Sequence, residues 1–170
     1  MNRYIAKIAI AGEGGTGKTT LLHRWVDGIF IPDTKMTIGS SFMVKTLSFG
    51  DKSLLLQIWD LGGEKQFRNI LKGFVQGAVV TLYTFSLNNY YSFYNAEEWI
   101  TLIREGGCGN IVAVGTKADL PILVPDEEIK KLVEKNRLLG YFKVSSKTGE
   151  NVEELFNFVA KTVAERIFII

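Results

Sequence analysis

Eight residues near the start of the chain, Gly12-Glu13-Gly14-Gly15-Thr16-Gly17-Lys18-Thr19, fit the spacing G-x-x-x-x-G-K-[ST]. That spacing serves phosphate binding. Its glycines let the backbone wrap closely around phosphate oxygens. Main-chain N–H groups from Glu13 to Thr20 then point inward as an anion nest. The helix that should follow adds the partial positive charge of its N-terminus. Lys18 has the reach and charge to bridge a β- and a γ-phosphate, and the Thr19 hydroxyl is a hard oxygen ligand suited to Mg²⁺. A Gly-rich turn between strand and helix is the bland alternative.

Two further clusters extend this chemistry. Asp60 ends an apolar run and opens Asp60-Leu61-Gly62-Gly63-Glu64. A carboxylate there can hold Mg²⁺ through water, and the Gly63 N–H can meet a γ-phosphate. Alone, Asp60 reads equally as a strand-ending turn cap. Thr116-Lys117-Ala118-Asp119 follows another apolar run, with Leu120 next to it. The Asp119 carboxylate can accept two hydrogen bonds from N1–H and N2–H₂ of guanine, a donor pair that adenine lacks, and a site built on such bonds rejects the wrong partner by roughly 10⁴–10⁵. Lys117 can lay its stem over a base and pin the Gly-rich loop. Ser145-Ser146-Lys147 also follows a strand-like run and can offer backbone N–H to the guanine O6.

The elements that must position these loops are legible as alternating apolar and periodic runs. Strands are expected at 4–11, 41–49, 53–59, 78–85, 111–115 and 141–144. Helices are expected at 18–30 and 92–105, after Asp126 as cap, and at 152–170. Residues 31–40 and 60–73 read as loops, the second with a short helix, and Gly50-Asp51 closes a hairpin. Strands alternating with helices imply a mostly parallel α/β sheet with helices on both faces and one antiparallel edge strand from the hairpin. Each chemical loop follows a strand, so all of them converge on the carboxyl edge of the sheet.

Composition narrows the classes. The 170 residues suggest one domain, 1–170, with 46% apolar and 22% charged residues. Twenty basic against 18 acidic residues give a net charge of +2, too balanced for a nucleic-acid binder. Cys108 is the single cysteine, which fits a reducing, cytoplasmic setting. No leader-like segment opens the sequence, no stretch of about 18 apolar residues spans a membrane, and neither a C-a-a-X end nor a Gly after Met1 is present.

The ordered set of Gly-rich loop, Thr37-Ile38-Gly39, Trp59-Asp60-Leu61-Gly62-Gly63, Thr116-Lys117-Ala118-Asp119 and Ser145-Ser146-Lys147 resembles the Ras superfamily of small GTPases over essentially the whole chain. The run Thr37-Ile38-Gly39-Ser40-Ser41-Phe42 looks Rab-like. Gly62-Gly63 looks more like the Arf and heterotrimeric Gα pattern, and Thr116 in place of the usual Asn resembles the Rho family. The resemblance implies a six-stranded P-loop NTPase G domain that binds GTP and GDP with Mg²⁺, hydrolyses GTP slowly and acts as a molecular switch in signalling or membrane trafficking. It implies that Thr37 ligates Mg²⁺ and the γ-phosphate, that Phe30 lies edge-on to guanine, and that 60–73 is the second switch. Phe30 reads equally as a helix-end core residue. Effector, exchange-factor and activating proteins are implied at the switches.

One departure bears on catalysis. Glu64 stands where the family usually carries the glutamine that orients attacking water. An ionised carboxylate only accepts hydrogen bonds, whereas an amide also donates. Catalysis is therefore placed on Glu64, Lys18 and Gly63, with a nucleotide-binding scaffold of negligible turnover as the alternative. A kinase-like P-loop enzyme is a weaker third reading, which the paired base-side motifs oppose. Lys35 is the lone basic residue between Phe30 and Thr37, and Arg68 is expected to face solvent or a partner. Phe42, Trp59 and Phe67 are candidates for a hydrophobic partner surface, with half-buried strand packing as the alternative. The run from Tyr90 to Tyr94 reads as packing. In the tail, Phe168 and Ile169 fall off the helical core stripe and are expected to fray, which keeps peripheral membrane contact open.

Overall fold

The structure is a computed structural model and describes residues 2–32 and 40–169. Strand β1 (Asn2–Ala11) lies at the middle of a six-stranded sheet of order β2-β3-β1-β4-β5-β6. It pairs in parallel with β3 (Lys52–Leu61) and with β4 (Ala78–Ser86). Strands β5 (Ile111–Thr116) and β6 (Gly140–Lys143) continue the parallel sheet. The edge strand β2 (Ser40–Phe49) is antiparallel to β3, turned by Gly50-Asp51 as the sequence implied. Strand order reverses at β1, so the loop leaving its carboxyl end sits at the topological switch point.

Two cores flank the sheet. On one face α1 (Lys18–Val26) and α6 (Val152–Ile167) cover the even residues of β1, Ala6, Ile8 and Ile10. On the other, α2 (Leu71–Val75), α3 (Tyr91–Tyr94), α4 (Ala96–Glu105) and α5 (Asp126–Asn136) cover Ala9 and Ala11. The period-two alternation of β1 divides its side chains between the two cores. Trp25 of α1 stacks on Phe156 of α6, with ring centroids 4.0 Å apart and an interplanar angle of 4°.

Several expected boundaries move. Helix α1 ends at Val26, not at residue 30, because Gly28 at φ +71° takes the left-handed conformation that closes a helix. Phe30 is therefore a loop residue. The helix expected at 92–105 is two helices broken at Asn95, whose side chain reaches Glu13 Oε1 at 3.4 Å. Asp126 is the first residue of α5 and pairs with Lys130, while Pro125 holds the cap position. Phe168 does not fray: it packs edge-on against Tyr4 and Phe49, under Lys52. Ile169 stays exposed. In the aromatic run only Ser92 and Phe93 are buried, and Tyr91 is 83% exposed.

Removing the stacked ring of fully buried Phe156 leaves a cavity between α6 and α1. Phe156→Ala is expected to lower the unfolding free energy by about 3–5 kcal/mol, read from urea unfolding.

Candidate functional site

The side of the Gly-rich loop is built from β1, α1 and the end of β3. Gly12 is held at φ +147°, and a Cβ there would lie 1.9 Å from the Thr84 carbonyl oxygen of β4. Only glycine lets the loop leave β1 so close to its neighbour. Lys18 folds back over the loop, and its Nζ donates to the carbonyl oxygens of Gly12 at 3.1 Å and Glu13 at 2.7 Å. The Thr16 hydroxyl donates to the Glu13 carbonyl at 2.9 Å. Asp60 is fully buried, and its Oδ2 accepts from Thr19 Oγ1 at 2.5 Å and from Ser41 Oγ at 3.4 Å. Two residues 41 apart in the chain thus bring a hydroxyl and a carboxylate together. Gly63 closes on the loop from β3. A Cβ on it would sit 2.2 Å from Glu13 C and Gly14 N and 2.3 Å from Gly12 O.

The side of Asp119 is built from the ends of β5 and β6. Thr116 Oγ1 lies 2.6 Å from the Thr16 carbonyl and 3.1 Å from that of Phe85. Lys117, at φ +59°, directs Nζ to the Gly15 carbonyl at 2.9 Å. Ser145 Oγ donates to Asp119 Oδ1 at 2.7 Å and accepts from the Thr148 N–H at 3.1 Å, which fixes the carboxylate. Gly15, Thr16, Gly17, Thr20, Phe30, Thr116, Lys117, Asp119, Leu120, Ser146 and Lys147 line one cleft of about 590 Å³, together with Pro32. Loops from three separate strands, with the loop after α1, therefore meet around one cavity of ligand size.

A family model described as the Ras family matches residues 7–165. The Ras-related protein RAB1BV of Beta vulgaris is 33% identical over 169 residues, covering 96% of this chain and 78% of its own length. Rab-2B of Dictyostelium discoideum is 32% identical over 168 residues, covering 96% and 83%. Rab-4B of Homo sapiens is 32% identical over 171 residues, covering 96% and 78%. The chain belongs to the Ras family. It is a Rab-like small GTPase, a switch in signalling or trafficking. Among the described residues no helix is long and apolar enough to cross a membrane.

Against that family, some expected site residues fall elsewhere. Thr37, with Ile38, Gly39 and Lys35, lies outside the described residues. Glu64 precedes a 3₁₀ helix, Lys65–Ile70, and its Oε2 accepts from Gln66 Nε2 at 2.7 Å. Arg68 does not face solvent. Its guanidinium is tied to Glu13 and Glu98 and lies over the Trp99 ring, because the Glu13 side chain turns away from the loop to meet it. Spacing gives no sign of this cluster, since its members come from three distant segments. Of the aromatic trio, Phe42 is 53% exposed, whereas Trp59 and Phe67 are half-buried against the core. Phe42 meets Trp59 edge-on, and Trp59 meets buried Phe74 in the same way beneath Lys7 Nζ.

Burial pushes the Lys18 ammonium down to about 8, against the pull of Asp60 and Glu13, which favour its charge. Below pH 8 the folded and unfolded chains both hold this proton. Between about 8 and the unperturbed value near 10.5, only the unfolded chain does, so stability rises with pH through that window. For the nucleotide-free protein the gain by pH 9.5 is expected to be on the order of 2 kcal/mol in urea unfolding. Lys18→Met should flatten the profile.

Proposed function

We propose that this chain binds GTP and GDP in the cleft between the Gly-rich loop and Asp119, and hydrolyses GTP slowly. The convergence of Lys18, Asp60, Lys117 and Asp119 on one edge of the sheet carries the reading. Backbone N–H groups of Glu13 to Thr20 would hold the phosphates, with Lys18 Nζ across the β- and γ-positions. Asp119 would read N1–H and N2–H₂ of guanine while Ser145 holds it in place. Ser146 and Lys147 would frame O6, and Phe30, Leu120 and Lys117 would enclose the ring. Thr116 serves the base indirectly. Its single proton is directed to the carbonyls of Thr16 in the loop and Phe85 in β4, which leaves none for the base.

Mg²⁺ fits the donor set of the phosphate side. The Thr19 hydroxyl and Asp60 carboxylate are hard oxygen ligands already brought together, with Asp60 acting through water and Thr37 as the implied third ligand. When bound, Mg²⁺ would offset phosphate charge and orient the terminal phosphates. The residues themselves do the remaining work. Gly63 N–H would meet the γ-phosphate, and Glu64 would accept from the attacking water. Activating, exchange and effector proteins would meet the switches and exposed Phe42, with the activating partner supplying an arginine, since Arg68 is engaged within the fold.

A second reading, a nucleotide-loaded scaffold without turnover, is favoured by the acceptor-only carboxylate of Glu64. The test is to load purified protein with GTP and Mg²⁺ and follow phosphate release in a single turnover. Slow release is expected, and stable bound GTP would select the scaffold. Glu64→Ala is expected to slow release by at least about 100-fold if Glu64 handles water; an unchanged rate would place it on the solvated surface. Asp119→Asn should weaken GDP binding by about 100-fold or more and favour a xanthine nucleotide, whose C2 carbonyl accepts from the new amide. Equal competition by ATP would overturn the base assignment.

A further inference from the structure

The Glu13 side chain is engaged away from the phosphate cleft. Its Oε1 accepts from Arg68 Nη2 at 2.5 Å, Trp99 Nε1 at 3.1 Å and Asn95 Nδ2 at 3.4 Å. These donors come from the 3₁₀ helix after β3, from α4 and from the break before α4. Arg68 Nη1 reaches both carboxylate oxygens of Glu98 at 3.2 Å, and the guanidinium lies 5.0 Å from the Trp99 ring centre. The side chains of Arg68 and Glu13 are only 14% and 21% exposed, against 53% for Glu98. The leg to Glu13 is therefore the better shielded of the two, and a charge-assisted bond there is the stronger one.

The same loop grips the chain a second time. Gly63 packs on the backbone of Gly12 to Gly14, and five residues later Arg68 is fastened to the Glu13 side chain. Residues 63–68 are thus a short segment closed at both ends on the Gly-rich loop, with Glu64 between the two anchors. Fixing both ends removes most of the freedom of what lies between. We propose that Arg68 is a positioning residue for the hydrolytic site, anchored by Glu13 and seated on Trp99, and that this clasp holds Glu64 over the phosphates. The positioning role rests on the hydrolysis proposed above, whereas the clasp itself does not.

The test uses the full chain loaded with GDP and the variants Arg68→Met, Glu13→Gln and the double variant. Amide hydrogen exchange over 64–75 is expected to quicken about tenfold in each single variant and no further in the double, as for groups acting through one bond. The Trp99 indole N–H resonance, assigned with Trp99→Phe, should shift in both single variants. Arg68→Lys should recover only part of the protection, because an ammonium cannot bridge Glu13 and Glu98 as a fork does. In single turnover, Arg68→Met is expected to lower the rate constant by about 10- to 100-fold, while GTP affinity stays within the error of the wild type. A merely structural Arg68 would lower the unfolding temperature and leave the rate of the folded protein unchanged. Unchanged exchange, additive effects in the double variant, or a wild-type rate in Arg68→Met would each overturn the proposal. If the wild type releases no phosphate, the hydrolytic reading fails, and exchange with the indole signal still decides whether the clasp exists.

Discussion

An ammonium enclosed by backbone carbonyls is the constraint around which this fold is arranged. Lys18 is almost wholly buried, and its charge is held by the oxygens of Gly12 and Glu13, with Asp60 and Glu13 pulling in its favour. Water is excluded and the compensation is incomplete, which is why its proton is held less tightly than in solution. Such a site is poised for an anion: a phosphate entering the nest restores what burial removed. The loop must therefore keep its shape before any ligand arrives. Gly12 does this by lying against the Thr84 carbonyl, Thr16 by bonding to Glu13, and Thr116 and Lys117 by gripping the loop from β5. Preorganisation here is a local loss of stability tolerated for binding.

The central position of β1 makes that arrangement possible. Both neighbours are parallel, so their carboxyl ends open on the same edge, and the loop leaves at the point where strand order reverses. The two cores divide the labour. The α1 and α6 side includes the stack of Trp25 on Phe156, which anchors the last turn of α1, the helix whose first turn carries Lys18 and Thr19. The opposite side carries short helices broken at Asn95, where polar side chains converge on Glu13. The core of α1 and α6 lies beside the Gly-rich loop, and the polar cluster at Asn95 and Glu13 lies beside the segment from Gly63 to Arg68.

Much of this was legible in the sequence, for a physical reason. Short motifs at strand ends depend on local backbone shape, so the placement of the loops at 12–19, 60–64, 116–119 and 145–147 on one edge of the sheet is legible from spacing and the alternation around them. The parallel sheet and its antiparallel edge follow from the same alternation. Helix ends were less legible. Phe30 was drawn into α1 by its apolar character, although Gly28 in the left-handed region stops the helix sooner. Phe168 broke the helical stripe and so read as frayed, yet it packs on Tyr4 and Phe49 across the end of the sheet. Arg68 failed for the same reason: no pattern within a segment records that Glu13, Asn95, Glu98 and Trp99 will surround it. Periodicity reports which face is buried and says little about what a buried polar group will meet.

The two sides of the cleft are held by different means, and the difference bears on switching. The base side is locked by contacts among parts that do not depend on a third phosphate: Ser145 on Asp119, Thr116 on Thr16, Lys117 on Gly15. It can keep one shape whether a diphosphate or a triphosphate is present. The segment after β3 is held by a backbone contact at Gly63 and by side-chain charge at Arg68, with the Glu64 carboxylate bonded to Gln66 within the same segment. A new charge at the γ-position would act on this segment and leave the base side alone. A ligand shifts a conformational equilibrium only through contacts that differ between the two states. Glu13, Gly63 and Arg68 meet beside the Gly-rich loop and apart from Asp119, so in the proposed switch a ligand that differs at its terminal phosphate would act there.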